Sequence, residues 1–360
     1  MKTGLFGFPL TGKSTLFNTI TGAAVATGTA GARPETHLGV ARVPDSRLDR
    51  LSAMFHPKKT THATVDYVDP VGVQTGEGQK PDAFLADLKQ VDALAHVVRG
   101  FEDEAVPHAP GAVDPKRDVE TMEMELILSD HTLAEKRVER LELSIRKTNR
   151  DEEKKELELM RRCLVALEAE TPLRALTLSD EENRRLRGYN FLSQKPLLLV
   201  LNTGEKAAGD LAGALERSGI AAAQRPGTAV AAVSARIEME IARLDAADAR
   251  AFMDDLGLAE PALVRLIRSS YELLGLVSFF TAGEDECRAW TIRRNSRAQT
   301  AAGVIHSDIE RGFIRAEVVT CEDLFAAGSF AAARDKGRLR LEGKEYPVQD
   351  GDVVHFRFNV

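Results

Sequence analysis

The octapeptide GFPLTGKS, which runs from Gly7 to Ser14, satisfies the phosphate-binding pattern G-x-x-x-x-G-K-[ST]. It follows an apolar stretch that predicts a buried strand over residues 2–8, and it precedes apolar residues at helical spacing. A strand, a glycine-rich loop and a helix in this order predict the start of an α/β fold, with loop N–H groups that enclose a phosphate. The sequence therefore predicts a nucleotide-binding protein.

This loop supplies most of the predicted phosphate contacts. Lys13 is expected to reach the β- and γ-phosphate oxygens as a catalytic residue, and the Ser14 hydroxyl is expected to bind Mg²⁺. The predicted ligands are therefore Mg²⁺ and a nucleotide substrate, ATP or GTP. The nucleotide-binding residues predicted in and beside the loop are Phe8, Pro9, Leu10, Thr11, Gly12, Lys13, Ser14 and Thr15.

An acidic residue follows the loop at the end of another predicted strand. Asp69 ends the run TVDYVD and begins DPVG, a D-x-x-G pattern. Its carboxylate is expected to hold Mg²⁺ through water, and the N–H of Gly72 is expected to sense the γ-phosphate as part of the catalytic machinery. Asp66, in the same strand, is the alternative magnesium residue.

Two later strands are followed by candidate base-recognition elements. The tetrapeptide NTGE, from Asn202 to Glu205, stands where GTPases carry N-K-x-D, and Ser234 and Ala235 would complete the base pocket. An Asp carboxylate accepts hydrogen bonds from both N1–H and N2–H₂ of guanine, whereas the additional methylene of Glu205 moves that acceptor. The preference of the pocket for guanine should therefore be weaker than in GTPases, and adenine can bind as well.

Composition excludes several classes of protein. The 360 residues include 48 Lys and Arg against 55 Asp and Glu, a formal charge of −7, without a long block of one sign. A broad nucleic-acid surface is not indicated, and we expect no DNA partner. Three widely spaced cysteines predict neither a disulfide framework nor a zinc site. Since no signal peptide or membrane span is recognisable, we expect a cytoplasmic protein without a membrane partner.

The pattern of apolar residues predicts three kinds of segment. Apolar strands alternating with helices predict a GTPase-type G domain in two parts, residues 1–118 and 191–275. Between them, residues 119–190 show helical spacing with faces rich in charge of both signs, which predicts an inserted helical hairpin. Residues 276–360 read as short strands and glycine turns with one small helical piece near Cys321–Ala333, which predicts a compact β-rich module.

Distinctive motifs occur along nearly the whole chain and include GFPLTGKSTLFNTITG, ARVPDSRLDRL, VDALAHVVRGFED, VDPKRDVETMEMEL, YELLGLVSFFTAG, AAGVIHSDIERGFIRAEVV and LEGKEYPVQDGDVVHFRFNV. Together they resemble the YchF or Obg-like ATPase family, in the Obg branch of translation-factor-class P-loop NTPases. The resemblance implies a G domain, an inserted coiled-coil arm and a C-terminal TGS domain of β-grasp fold. It also implies ATP hydrolysis, often preferred to GTP hydrolysis, and association with the ribosome; we expect a monomer.

The resemblance also implies roles for individual residues. Val73 stands where Ras-like enzymes carry the glutamine that orients water, so another group must do so. The family assigns this role to a histidine in a loop, and His108 matches its position. The magnesium-binding threonine of the first switch is Thr36 or Thr29, and we favour Thr36 because it lies just before a strand. The residues that fall directly on family motif positions are Gly12, Lys13, Ser14, Asp69, Gly72, Asn202 and Glu205.

Three departures from the family pattern bear on activity. Leu10 replaces a P-loop asparagine that helps to bind a monovalent cation, the first switch does not keep the family's pattern, and the second switch is shorter. These changes favour retained nucleotide binding with slower hydrolysis. The alternative function is therefore a nucleotide-gated adaptor for the ribosome or RNA, with little or no hydrolysis. A small-molecule kinase is disfavoured, because no arginine-rich lid is evident.

Overall fold

The structure is a computed structural model that describes residues 1–25, 36–70, 82–104, 106–108 and 111–359. Its strands are β1 (Lys2–Phe6), β2 (His37–Arg42), β3 (Lys59–Thr61), β4 (Thr64–Asp69), β5 (Ala93–Gly100), β6 (Leu197–Thr203), β7 (Thr228–Val233), β8 (Leu276–Thr281), β9 (Glu286–Arg293), β10 (Phe313–Thr320), β11 (Arg340–Glu342) and β12 (Asp352–Phe358). Its α-helices are α1 (Lys13–Thr21), α2 (Ser46–Phe55), α3 (Asp82–Lys89), α4 (Pro115–Thr148), α5 (Asp151–Glu168), α6 (Asp180–Leu186), α7 (Leu211–Arg217), α8 (Ala235–Ile241), α9 (Ala246–Asp255), α10 (Ala262–Leu273), α11 (Ala298–Ile305), α12 (Ser307–Arg311), α13 (Cys321–Ala327) and α14 (Phe330–Asp335).

A predominantly parallel sheet forms the centre of the first compact unit, which comprises residues 1–40 and 66–273. Its strand order is β2-β4-β1-β5-β6-β7, and the pairs from β4 to β7 are parallel. Strands β5 and β6 are almost continuous apolar runs and are buried along their length, as expected for a sheet covered on both faces. The prediction of an α/β fold of the P-loop class is confirmed, because these strands alternate with helices along the chain.

Helices α4 and α5 form the predicted hairpin, with a much tighter turn than its polar sequence indicates. Most of the stretch KTNRDEEKK is helical, and only Asn149 and Arg150 lie between the two helices. Asn149 ends α4 in the left-handed conformation, at a φ of 51°, which asparagine tolerates better than most residues. The hairpin has its own apolar cluster, which includes Leu141, Met160 and Phe191.

The second compact unit comprises residues 41–65 and 274–360. Its sheet has the order β11-β10-β12-β8-β9-β3. The sequence-based boundaries placed residues 41–65 in the first part of the G domain, whereas the structure groups them with the C-terminal segment. The reason is the parallel pairing of Lys59–Thr61 with Glu286–Arg288, a contact between distant segments that no local pattern encodes.

The expectation of one small helical piece in the C-terminal module is wrong, because α11 and α12 precede the helices near Cys321. The stretch from Ala298 to Ile305 consists mostly of small residues, with Val304 and Ile305 at its end, so its hydrophobic periodicity is weak. Three of its alanines, Ala298, Ala301 and Ala302, are nevertheless fully buried on one face, in the apolar cluster of the sheet. Tertiary packing thus stabilises a helix that the hydrophobic pattern alone did not reveal.

Two further observations bear on the expectations from composition. Among the residues that the structure describes, no helix has the length and apolar character needed to cross a membrane. Cys163, Cys287 and Cys321 are buried free thiols.

A buried carboxylate ties the hairpin to the strand that carries the candidate base-binding residues. Asp130 of α4 is fully buried, and it accepts backbone N–H hydrogen bonds from Leu192 at 2.8 Å and Ser193 at 2.6 Å. These two residues lie just before β6. Burial raises the pKa of Asp130, an effect that its hydrogen bonds oppose. The carboxylate satisfies two backbone donors that would otherwise be buried without partners.

Substitution of Asp130 should therefore cost more than substitution of an exposed acidic residue. We expect Asp130→Ala to lower the free energy of unfolding by about 2–5 kcal/mol, since two buried N–H groups lose their acceptor. Asp130→Asn should cost less, because one carbonyl oxygen remains. Glu135→Ala, at an exposed position of the same helix, is the matched control. Urea denaturation followed by circular dichroism would measure the differences, and equal losses for Asp130→Ala and Glu135→Ala would contradict this account.

Candidate nucleotide-binding site

The loop from Gly7 to Gly12 follows β1 and leads directly into α1, as the sequence predicts. Gly12 has a φ of 93°, and a Cβ atom there would lie 2.3 Å from Nδ2 of Asn202. Gly7 has a φ of 136°, and a Cβ atom there would lie 2.4 Å from the carbonyl oxygen of Val97. Both positions therefore require glycine, for backbone conformation and for close approach of the neighbouring strands.

Lys13 lies inside this loop with its ammonium group bonded to backbone. Nζ donates to the carbonyl oxygens of Gly7 at 3.1 Å and Phe8 at 2.6 Å. Burial lowers the pKa of Lys13 to about 8, although the nearby Asp69 carboxylate acts in the opposite direction. The loop thus holds a cation whose charge is poorly solvated, which is the condition under which an added anion is bound most strongly.

Ser14 and Asp69 meet beside Lys13, as expected of the predicted magnesium site. The Ser14 hydroxyl donates to Oδ2 of Asp69 at 2.9 Å. Burial raises the pKa of Asp69, while Ser14, Lys13 and His37 act to lower it. A hydroxyl and a carboxylate are the hard oxygen ligands that suit Mg²⁺, and one or two of them with phosphate oxygens are sufficient for it. These residues fit the ion, and no larger cluster of His, Cys, Asp and Glu suited to a metal occurs among the described residues.

The register of β4 against β1 distinguishes Asp69 from its alternative, Asp66. Asp66 pairs with Lys2 at the start of β1, and its carboxylate lies 3.8 Å from the amino terminus of the chain. Asp69 is at the carboxyl end of β4, the end at which the phosphate-binding loop begins. Because parallel strands present their ligand-binding loops at their carboxyl ends, the geometry favours Asp69 over Asp66.

A cleft of about 530 Å³ extends from this loop to the ends of β6 and β7. At its far end, the Asn202 side chain joins the two regions: Nδ2 donates to the Thr11 carbonyl at 2.9 Å, and Oδ1 accepts from the Ala235 N–H at 3.0 Å. Glu205 also lines the cleft, and the buried Ser234 precedes Ala235 at the start of α8. The described lining residues are Leu10, Gly12, Lys13, Ser14, Thr15, Phe101, Glu102, Asp103, Val106, Asn202, Thr203, Gly204, Glu205, Ala235, Arg236 and Met239.

Three predicted loop residues shape the turn of the loop, and of these Leu10 also lines the cleft. Thr11 donates its hydroxyl to the carbonyl of Phe8 at 3.1 Å and is buried. Leu10 is nearly half exposed and has a φ of 61°, a left-handed conformation that is strained for leucine. Pro9 lies between Phe8 and Leu10 in the same turn.

His108 is buried and paired in this structure. Its Nε2 lies 2.6 Å from Oδ2 of Asp118, and both side chains are 2 % exposed. Its Nδ1 has no hydrogen-bond partner among the described residues. The ring meets the edge of Phe8, with ring centroids 6.3 Å apart, so His108 lies next to the phosphate-binding loop.

The two switch positions differ in what the structure describes. Thr36 donates its hydroxyl to Oδ2 of Asp87 at 2.8 Å, and it is not among the described residues that line the cleft. Its alternative Thr29, and also Gly72 and Val73, lie outside the described residues.

The sequence did not indicate the segment that forms one wall of the cleft. Phe101, Glu102, Asp103 and Val106 follow β5 and line the cleft. The fully buried Arg99 holds this segment by donating to the carbonyls of Phe101 at 3.0 Å, Pro107 at 3.4 Å and Asp103 at 3.5 Å. The one available signal was its place after a parallel strand, at the same sheet edge as the other loops. Arg236 and Met239 gave no signal, because only the fold turns this face of α8 towards the cleft.

Four features occur together at this site: a glycine-rich loop at the start of a helix, a buried lysine, a serine paired with an aspartate, and an asparagine that joins the loop to α8. They define a P-loop nucleotide-binding protein of the GTPase fold. Comparisons with known proteins agree with this class. Residues 2–162 match a family model described as 50S ribosome-binding GTPase, and residues 276–359 match the model YchF-GTPase_C, described as a protein of unknown function.

Relatives match the chain from end to end. It is 42% identical over 365 residues to a protein named ribosome-binding ATPase YchF from Bacillus subtilis (strain 168), with 100% of both chains covered. It is 39% identical to the protein of the same name from Escherichia coli O157:H7, covering 100% of this chain and 99% of the relative. The solved structure of the Schizosaccharomyces pombe YchF GTPase superposes with a TM-score of 0.86 at 30% identity, covering 99% and 97% of the two chains. The chain belongs to the YchF family, which confirms the resemblance seen in the sequence.

The lowered pKa of Lys13 predicts pH-dependent nucleotide binding. A bound polyphosphate favours the charged form of Lys13. In the protein without nucleotide, Lys13 loses its proton as the pH rises through about 8. Binding should therefore take up more protons at pH 9 than at pH 7, and the affinity should fall by up to about tenfold over that range. Calorimetry in buffers of different ionisation enthalpy would measure the uptake. In the control Lys13→Arg, the side chain stays charged and this dependence should vanish; equal profiles for both proteins would exclude Lys13 as its source.

Proposed function

We propose that this chain is a Mg²⁺-dependent nucleoside triphosphatase that binds and hydrolyses ATP, with GTP as the alternative substrate, and that it acts in association with the ribosome. The observation that carries the proposal is the grouping of Lys13, Ser14 and Asp69 at one end of a cleft large enough for a nucleotide. The names of the relatives, ribosome-binding ATPase, support the same function.

The loop end of the cleft has the groups needed to stabilise charge on a transferring phosphoryl group. Lys13 would exchange its bonds to the Gly7 and Phe8 carbonyls for bonds to phosphate oxygens. The N–H groups at the start of α1 would donate to the same phosphates. Ser14 and Asp69 would hold Mg²⁺, which neutralises charge between the β- and γ-phosphates. The reaction is direct attack of water on the γ-phosphate, so positioning and charge stabilisation account for catalysis.

His108 is our proposed water-orienting residue, and Asp118 would fix its orientation. The Asp118 carboxylate would accept a hydrogen bond from Nε2–H, which leaves the unpartnered Nδ1 without a proton and able to accept a hydrogen bond from water. Because His108 is buried beside Phe8, the segment that carries it would have to shift for Nδ1 to meet water at the γ-phosphate. The need for this shift agrees with the slow hydrolysis expected from the altered switch sequences.

At the other end of the cleft, Glu205 and the segment of Phe101 would surround the base. Asn202 uses its side chain to join Thr11 and Ala235, so it would position the pocket rather than read the base with its amide. The carboxylate of Glu205 lines the cleft and would accept from the exocyclic amino group of adenine. ATP is therefore our proposed principal substrate. Association with the ribosome would locate this activity in the cytoplasm.

Hydrolysis can be tested by phosphate release under multiple turnover. We expect Lys13→Ala to lower kcat/KM by at least about 100-fold, since a charge-stabilising donor is lost. Asp118→Asn should lower kcat about 10- to 100-fold while nucleotide affinity stays within about twofold, because the amide would favour the wrong histidine tautomer. Arg117→Ala is the matched control: it removes the 2.8 Å ion pair of Asp118 but spares the contact to His108. Release that is insensitive to Lys13→Ala would leave the nucleotide-gated adaptor as the function.

Association with the ribosome can be tested separately by cosedimentation at low and moderate salt. We expect the chain to pellet with ribosomes to a different extent with a non-hydrolysable ATP analogue and with ADP. Lys13→Ala should remove this difference, because ribosome binding by the variant would no longer depend on the nucleotide. Absence from the ribosomal pellet in every nucleotide state at low salt would refute the ribosome part of the proposal.

A further inference from the structure

An ion pair that the sequence did not indicate lies at the base end of the cleft. Nε of Arg236 is 2.7 Å from Oε1 of Glu205, and both residues line the cleft. A second carboxylate, Glu240, lies one turn further along α8, at 3.9 Å from the same nitrogen. Among the described lining residues, Lys13 and Arg236 are the two that carry positive charge, and they lie at opposite ends: Lys13 in the phosphate-binding loop, Arg236 next to Ala235.

The backbone beneath this ion pair is fixed by buried contacts. Asn202 bonds to the N–H of Ala235, the residue before Arg236, at 3.0 Å, and Asn202 is itself buried. Glu205 follows Asn202 by three positions and lies two residues past the end of β6. Both members of the pair are therefore attached to the same buried hydrogen-bonded unit, so their side chains meet at a defined place although they are partly exposed.

The chemistry of the two bases makes this pairing significant. Guanine presents two adjacent donors, N1–H and N2–H₂, and a carboxylate reads them best when both of its oxygens are available. Adenine presents a single exocyclic donor, N6–H₂, next to the acceptor N1, so one carboxylate oxygen is sufficient. In this structure Nε of Arg236 forms an ion pair with Oε1 of Glu205, so a second base donor would have to share Oε1 with the guanidinium, while a single donor can use Oε2.

We propose that Arg236 is a specificity-determining positioning residue: it holds one carboxylate oxygen of Glu205 and so disfavours guanine relative to adenine. The inference rests on the proposed function, because it requires the base to lie at this end of the cleft. It extends that function, since the methylene that distinguishes Glu from Asp then explains only part of the base preference. The remainder comes from a side chain on a different element.

The exposure of the pair sets the size of the effect. The side chains of Arg236 and Glu205 are 69% and 48% exposed, so solvent screens their attraction. Pairs of this kind contribute little to folding, and Arg236→Ala should leave the fold intact. For the same reason we expect a change in specificity of about 3- to 10-fold rather than a complete reversal.

The experiment measures the dissociation constants of the β,γ-imido analogues of ATP and GTP, with Mg²⁺, for the full chain. Arg236→Ala should lower the ratio of the GTP-analogue constant to the ATP-analogue constant by about 3- to 10-fold, and Arg236→Lys should give a smaller change because a cation remains. In a Glu205→Ala background, Arg236→Ala should change the ratio by less than twofold, because the two residues act through one contact.

The matched control is Arg250→Ala, which removes an exposed ion pair of similar geometry, Nε to Oδ1 of Asp254 at 3.2 Å, on α9 and outside the cleft lining. A ratio that Arg236→Ala leaves at the control value would overturn the inference, while nucleotide binding and the proposed function would stand. Equal weakening of both analogues would overturn it as well, since Arg236 would then be a contact without base preference. If the unmodified chain binds neither analogue, the proposed function fails together with the inference.

Discussion

The buried side-chain amide of Asn202 is the contact on which the site depends. By donating to the Thr11 carbonyl and accepting from the Ala235 N–H, it fixes the phosphate-binding loop relative to the start of α8. Gly12 leaves the space for this amide, since any Cβ there would collide with Nδ2. Because both hydrogen bonds are buried, breaking either one would leave a polar backbone group without a partner. The two ends of the nucleotide cleft are thus held at one distance by a single residue.

Burial has opposite consequences for the two charged groups at the phosphate end. It lowers the pKa of Lys13 and raises the pKa of Asp69, and each group partly offsets the shift of the other. Both ionised forms are therefore poorly solvated, and both would gain from a ligand that carries phosphate and a divalent cation. The sheet supplies this environment, because β1 and β4 end side by side and place Ser14 against Asp69. The charges of neighbouring residues in the sequence would not by themselves bury these two groups beside each other.

The elements that local sequence determines could be predicted. The strands of the first sheet and the helical hairpin follow from apolar runs and from helical spacing, signals that adjacent residues carry. Helix α11 could not be predicted, because burial of alanines replaces a strong hydrophobic pattern there. The grouping of residues 41–65 with the second sheet could not be predicted either, because it depends on the pairing of β3 with β9. In both cases the stabilising partners are distant in the chain, and the pattern within one segment does not identify them.

The sequence by itself determined the family, the phosphate-binding loop and the residues that end each parallel strand. Its motifs carry this information because the backbone of the loop requires glycine, and phosphate and magnesium binding require lysine and serine, at fixed spacing. Only the tertiary structure shows that Asp66 lies opposite Lys2 at the start of β1, while Asp69 lies at the carboxyl end of β4 beside Ser14. It also decided that His108 pairs with Asp118 and that Arg236 meets Glu205. These contacts join elements that the chain separates, and their distances are set by how the helices pack on the sheet.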